Sequence, residues 1–305
     1  MKNTILGQKI GGAWTAMHGD CIEAMADIPA NSVDFSVYSP PFSTLYIYSE
    51  SARDMGNVES DAEFQETYAH VVAELLRVTK PGRLTAIHVK DLVYYSNASE
   101  DGDRGLRDFT SDCTRTHLDA GWTYHRKVTI GRCPVKEMQK TKADRLLYKH
   151  FRADAARSGG GLPEYIVVFR KWAEGMEDTA PIVHDPNLFP LDIWQKWAQP
   201  VWLDTRETDV LNVKLTKAGK GEKHLCPMPL DLTERLILQY TNPGEVVLSP
   251  FMGIGSEGVV AMRTGRKFVG VELSSDWFPT ACREIAEAEA KAGGGSLLEI
   301  IGAAS

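Results

Sequence analysis

Along this chain, short β-branched apolar runs take turns with longer segments whose apolar residues recur at helical spacing. Trp14 to His18 reads as a first strand, closed by Gly19-Asp20 and followed by a short helix about Cys21 to Met25. Val33 to Tyr38 reads as a buried strand, and Pro40-Pro41 stops it. Phe64, Tyr68, Val71, Val72, Leu75 and Leu76 share one helical face; Ser60 and Glu63 form a capping box before it, and Pro81-Gly82 predicts its stop. Leu84 to Val89 is the next strand, residues 107–120 a helix ended by Gly121, and Tyr124 to Ile130 and Glu164 to Arg170 two more strands. From Trp172 to Lys223 the alternation fails: Pro181, Pro186, Pro190 and Pro200 are interleaved with Trp194, Trp197 and Trp202, which predicts a separate small unit. Order returns with a helix over Leu230 to Tyr240, a strand Glu245 to Leu248, a helix from Ser256, a strand Lys267 to Val271 and a final helix from Ser275. The run Gly293-Gly294-Gly295 predicts a flexible tail.

Strands alternating with helices imply an α/β fold, with a mostly parallel sheet covered by helices on both faces. At 305 residues and 43% hydrophobic content, the chain can bury one substantial core plus a smaller unit. No stretch approaches the roughly 18 apolar residues of a membrane helix and no signal-peptide pattern opens the chain, so neither membrane insertion nor export is expected. Cys21, Cys113, Cys133, Cys226 and Cys282 are scattered without Cys-x-x-Cys spacing, which speaks against a structural metal site and fits a reducing cytoplasm.

The formal charge of −7 counts against a polyanionic partner, but the average hides an uneven distribution. Between Arg126 and Lys171, basic residues including Lys140, Lys142, Arg145 and Arg152 face few acids. Such a face steers a nucleic acid, although each cation could equally be a solvated surface group.

Two strand ends carry candidate chemistry. After Val33 to Tyr38 comes Ser39-Pro40-Pro41-Phe42, where two prolines stiffen the backbone at the strand's carboxyl end. The stop leaves carbonyls without intra-sheet partners there; the plain alternative to a site is a rigid Pro-Pro turn capped by Ser39, with Phe42 in the core. After Glu245 to Leu248 comes Ser249-Pro250-Phe251-Met252-Gly253-Ile254-Gly255-Ser256, and the following strand ends in Glu272, placed to accept the two hydroxyls of a ribose. Gly258 completes a G-x-G-x-x-G spacing, but a dinucleotide motif normally opens its domain and this one follows every other strand except the next. Asp20 stands after the first strand, either as a ligand contact or as a helix N-cap.

Taken together, Ser39-Pro40-Pro41-Phe42 and Pro250-Phe251-Met252-Gly253-Ile254-Gly255 resemble the catalytic and cofactor motifs of S-adenosylmethionine-dependent amino-methyltransferases that act on DNA. Their order along the chain is similar to the β group, in which target recognition lies between a catalytic and a cofactor half. The resemblance implies a circularly permuted Rossmann-like fold with residues 1–171 as catalytic half, 172–221 as target-recognition unit, 222–292 as cofactor half and 293–305 as tail. It implies Ser39, Pro40, Pro41 and Phe42 as catalytic, with a base flipped out of double-stranded DNA stacked on Phe42. Asp20, Pro250, Phe251, Gly253, Gly255, Ser256 and Glu272 are the implied cofactor contacts, and His224 with Pro227 and Pro229 the implied cover of its methionine end.

Ser before Pro-Pro-Phe is similar to the N4-cytosine enzymes, whereas the N6-adenine ones typically carry Asp-Pro-Pro-Tyr. Cytosine N4 is the first expectation, adenine N6 the alternative, and an amine of RNA, protein glutamine or a small molecule a more distant one. Cytosine C5 chemistry would need a Pro-Cys pair after the catalytic strand, and Cys133-Pro134 has the reverse order. A homodimer and a cognate restriction nuclease stay open as partners, in a bacterial or phage-infected cell. Two positions depart from the family pattern: Ser249 stands where Asp is common, and Gly131-Arg132-Cys133 where many relatives carry Trp-x-Lys.

Overall fold

The computed structural model describes residues 5–42, 55–58, 60–94, 105–141, 146–157, 159–187, 189–211 and 227–302. In chain order the elements are β1 (Gly7–Ile10), β2 (Trp14–His18), α1 (Cys21–Ala26), β3 (Val33–Tyr38), α2 (Asp61–Val78), β4 (Thr79–Lys90), β5 (Leu92–Tyr94), β6 (Gly105–Arg107), α3 (Phe109–Asp119) and β7 (Thr123–Ile130). There follow α4 (Pro134–Thr141), α5 (Tyr148–Ala153), β8 (Glu164–Arg170), α6 (Leu191–Trp197), β9 (Val201–Trp202), α7 (Leu230–Tyr240), β10 (Val246–Ser249), α8 (Ser256–Arg263), β11 (Lys267–Glu272) and α9 (Trp277–Gly302).

One sheet runs β1-β2-β11-β10-β3-β4-β8-β7-β9, and β5 and β6 form a separate hairpin. Its centre, β2-β11-β10-β3-β4, is parallel throughout. β8 is antiparallel to both β4 and β7, so β7 again points the same way as the centre, and β9 pairs parallel to β7. Buried residues of α1, α2 and α3, among them Met25, Phe64, Val72, Leu75 and Phe109, pack with Tyr38, Ile87 and Phe169 on one face. Leu232 and Leu236 of α7, Val260 of α8 and Ile285 of α9 pack with Phe35, Val37 and Phe268 on the other. Each such fully buried side chain contributes about 1.5–3 kcal/mol.

The α2 helix begins as its pattern predicts, with Ser60 Oγ accepting from Glu63 N at 3.2 Å. It ends three residues earlier than Pro81 suggests, because β4 already starts at Thr79. The β3–β4 register slips between Val33/Thr79 and Phe35/Leu84, and Pro81 with Gly82 (φ 78°) occupies the resulting bulge, where a missing N–H costs no ladder bond.

Two other expectations need correction. The span 172–221 is not one detached unit: residues 179–184 lie along the amino edge of the central strands, with Arg83 Nη2 donating to Ala180 O at 3.1 Å, and Asn242 donating to Pro181 O at 3.0 Å. The chain then returns through α6 and β9, where Trp202 joins the main core; residues 212–221 lie outside the described residues. The backbone of α9 is helical through Gly293-Gly294-Gly295 to Gly302, whereas the glycines predict a flexible tail. Extending a helix already anchored by Trp277, Ala281 and Ile285 costs about 1 kcal/mol per glycine, with no new nucleus to form.

Candidate active site

The chain leaves β3 toward β4 on one side and β10 toward β11 on the other, so the strand order reverses between β3 and β10. That is the crevice where open parallel sheets take ligands. The carboxyl ends of β2, β11, β10 and β3 bring Asp20, Glu272, Pro250 and Ser39 to one edge, around a cleft of about 1090 Å³ including its open mouth. Of the residues singled out in the sequence, Asp20, Ser39, Pro40, Pro41, Phe42, Pro250, Phe251, Gly253, Ser256 and Glu272 line it.

On the β11 side, the Glu272 carboxylate is held by backbone: Gly253 N donates to Oε2 at 2.8 Å and Ser274 N to Oε1 at 2.7 Å. A carboxylate offers about four lone-pair sites on its two oxygens, and a pair of them suits the two hydroxyls of a vicinal diol. Gly253 (φ 51°) and Gly255 (φ 90°) are left-handed, a conformation that costs other residues energy. Gly255 is not at the cleft wall. A Cβ there would lie 3.2 Å from Ala281 Cα, so its part is to let α8 start against α9. Gly258 does the same one turn on, its Cβ position 2.6 Å from Ile285 Cδ1. Asp20 is the N-cap of α1, Oδ1 accepting from Ile22 N at 2.8 Å and Glu23 N at 3.2 Å, while the residue still lines the cleft.

On the β3 side, Tyr38 is pinned beneath the cleft floor. Its hydroxyl meets Tyr68 Oη at 3.1 Å and His117 Nε2 at 3.2 Å, and burial lowers the His117 pKa to about 4, so that ring is neutral. The next residue, Ser39, starts a line that the sequence did not reveal. Ser39 Oγ is 3.2 Å from His88 Nδ1, and His88 Nε2 is 2.9 Å from Glu164 Oε2. Arg132, its side chain only 3% exposed, donates from Nη2 to the same carboxylate and from Nη1 to Thr205 Oγ1 at 3.1 Å. Burial alone would raise the Glu164 pKa, but the hydrogen bonds and charges of His88 and Arg132 outweigh it and hold the carboxyl well below the usual range. As a carboxylate, Glu164 can only accept, so it takes the Nε2 proton. In the neutral ring this leaves Nδ1 as an acceptor for the Ser39 hydroxyl, whose lone pairs are then open to other donors. Phe42 lines the cleft and packs at a tilt toward Phe109, with ring centroids 6.5 Å apart.

The basic stretch divides. Arg126 donates to Tyr240 Oη, Trp197 O and Gln199 O; Arg170 donates to Gly82 O, and Lys171 to Asn31 Oδ1 and Thr79 O. With Arg132 these cations serve the fold, which corrects the reading of the whole stretch as a phosphate face. β7 ends at Ile130 and β8 begins at Glu164, both at the cleft edge of the sheet, and Lys90 at the end of β4 pairs with Glu137 of α4 at 3.0 Å. There Lys136, Lys149 and Arg152 are exposed, with Tyr148 and Phe151 stacked beside the last two. Lys142, Arg145 and His224 lie outside the described residues, as does the side chain of Lys140 on α4.

A family model described as DNA methylase matches residues 33–282. Among known proteins, DNA adenine methyltransferase YhdJ of Escherichia coli (strain K12) is 26% identical over 283 residues, covering 90% of this chain and 83% of that protein. Among solved structures, the DNA modification methylase TTHA0409 of Thermus thermophilus, complexed with S-adenosyl-L-methionine, superposes with a TM-score of 0.65 at 23% identity, covering 89% of this chain and 92% of that one. The cytosine-N4-specific PvuII DNA methyltransferase superposes with a TM-score of 0.63 at 15% identity, covering 94% and 96%. The two structures share this fold, a parallel sheet flanked by helices, and the family model spans the cleft from β3 to β11. The chain therefore belongs to the DNA methylase family, S-adenosylmethionine-dependent enzymes that methylate an amine of cytosine or adenine.

Proposed function

We propose that this enzyme methylates cytosine N4 of a base flipped out of double-stranded DNA. The observation that carries the reading is the line Ser39–His88–Glu164–Arg132, whose first member, Ser39, lines the same cleft as Glu272. When bound, S-adenosylmethionine supplies an electrophilic methyl group. Glu272 would hold its ribose, Asp20 and Phe251 its base, and the turn at Gly253 leaves room for its approach.

An exocyclic amine is a poor nucleophile because its lone pair is delocalised into the ring. Acceptors on its two hydrogens pull the nitrogen toward tetrahedral geometry and hold it in line with the methyl group. Ser39 Oγ is prepared for this when its own proton is given to Nδ1 of a neutral His88 ring. The Pro40 carbonyl, which has no strand partner after the Pro-Pro stop, supplies the second acceptor. Phe42 is the stacking face for the flipped base. A neutral hydroxyl rather than a carboxylate as first acceptor is what favours cytosine. Adenine N6 is the second reading, favoured by the likeness to YhdJ along 90% of the chain.

The DNA would cross the cleft edge, where α4 and α5 lie between β7 and β8. Tyr148, Lys149, Phe151 and Arg152 offer the mixture of aromatic and cationic side chains that nucleic acids meet. Incubation of unmethylated duplex DNA with methyl-labelled cofactor, followed by digestion to nucleosides, tests the assignment. Label in N4-methylcytosine supports it. N6-methyladenine as sole product replaces the base while keeping the reaction, and absence of label from both refutes the reading.

A further inference from the structure

Among the described residues, three buried polar atoms near the cofactor wall have no hydrogen-bond partner: Ser249 Oγ, Ser256 Oγ and Glu257 Oε2. Ser256 and Glu257 are the first two residues of α8, are 2% and 4% exposed, and both line the cleft. A carboxyl oxygen buried without a partner costs about 1–3 kcal/mol, more if ionised, so a cationic ligand group at this place would relieve a cost already present. No cation of the described residues acts on Glu257; the charged group that does is Glu272, another acid. Burial raises its pKa to about 8, a hydrogen bond from its own backbone N–H opposing the rise and the Glu272 charge adding a little to it.

We propose that Glu257 receives the α-ammonium group of the cofactor's amino-acid end, with Ser256 donating its hydroxyl to the neighbouring carboxylate. This rests on the cofactor reading and adds a residue to it. With the ribose at Glu272 and the methyl group aimed at Ser39, the amino-acid end has the wall from Pro250 to Glu257 left to occupy. A zwitterion needs an acceptor and a donor side by side, and the two unpartnered side chains supply one of each. The sulfonium is the poorer partner for Glu257, because a bare carboxylate against an activated methyl group would compete with the DNA amine as nucleophile. On ion pairing, the Glu257 proton passes to solvent.

Calorimetry at pH 7 with three probes tests this: S-adenosylmethionine, S-adenosylhomocysteine, which keeps the ammonium but not the sulfonium charge, and 5′-methylthioadenosine, which lacks the amino-acid end. Glu257→Gln should weaken the first two by about 10- to 100-fold and leave the third unchanged. In wild-type protein, titration in phosphate and in Tris should show release of about one proton with S-adenosylhomocysteine and none with 5′-methylthioadenosine; this arm needs no variant to fold. Unchanged affinities, equal losses for all three probes, a loss confined to S-adenosylmethionine, or no difference in proton release would each overturn the proposal. Failure of wild-type protein to bind any probe would overturn the cofactor reading, and the proposal with it.

Discussion

Replacing His88 by Leu separates two roles for the ring behind Ser39. The substitution removes the 3.2 Å contact to Ser39 and the 2.9 Å contact to Glu164, yet Glu164 keeps Arg132, so no buried charge is stranded. If His88 only orients the Ser39 hydroxyl, the loss is one neutral hydrogen bond of about 0.5–1.5 kcal/mol, or about 2- to 12-fold in the rate of methyl transfer. If the ring also carries away the amine proton in the transition state, the loss rises to about 100- to 10,000-fold. The Ser39 geometry supports orientation, and the smaller figure is expected. Single-turnover rates at saturating DNA and cofactor measure it free of binding and product release. His88→Asn is the companion variant: its amide oxygen can accept from Ser39 but is too short to continue to Glu164, so it should recover most of the wild-type rate. Cofactor affinity should stay near wild type in both, because the cofactor wall belongs to β10 and β11. An unchanged rate in folded His88→Leu would refute the claim that this line prepares Ser39.

Three further outcomes follow. Glu272→Ala deletes the acceptor proposed for the ribose and leaves the amides of Gly253 and Ser274 without their partner, so cofactor affinity should fall by about 1.5–3 kcal/mol; calorimetry showing wild-type affinity in the folded variant would remove Glu272 from the site. Lys149→Ala with Arg152→Ala should reduce the slope of log K for DNA against log salt by about 1.8, at roughly 0.9 per phosphate contact, and an unchanged slope would move the DNA path away from α5. Glu257, held up at about 8 against 4.5 for the free side chain, keeps its proton in the folded state after the unfolded chain has lost it, so between those pH values rising pH drains stability by up to about 1.4 kcal/mol per pH unit. Urea titrations from pH 5 to 8 should show a flatter profile for cofactor-free Glu257→Gln than for wild type, and parallel profiles would contradict the burial argument.

What could be read from the sequence was local. Val33 to Tyr38 and Glu164 to Arg170 stand in the structure with the bounds their apolar runs predict, because proline, glycine and charge delimit them on the spot. The Ser39 line has no local signature, since His88 lies 49 residues from Ser39 and Glu164 a further 76 on. They meet through register: Val37 pairs with Ala86 and Tyr38 with Ile87, so the next step of the ladder sets Ser39 beside His88. The antiparallel β8 then delivers its first residue, Glu164, opposite Lys90 at the same edge. Periodicity says which residues share a face and so limits register to shifts of two, but it does not say which distant strands lie side by side or which residues stand opposite. Arg132 is hidden differently: in a basic stretch it reads as one more surface cation, and only its contacts with Glu164 on β8 and with Thr205 and Glu207 after β9 turn it inward. Glu257 gives no signal of its own, because its place inside G-x-G-x-x-G reads as spacing between glycines. Yet at about 100° per residue, a helix starting at Gly255 cannot turn Ser256, Glu257 and Gly258 all toward α9. The close approach at Gly258 takes that face, and the two residues before it are left for the cleft.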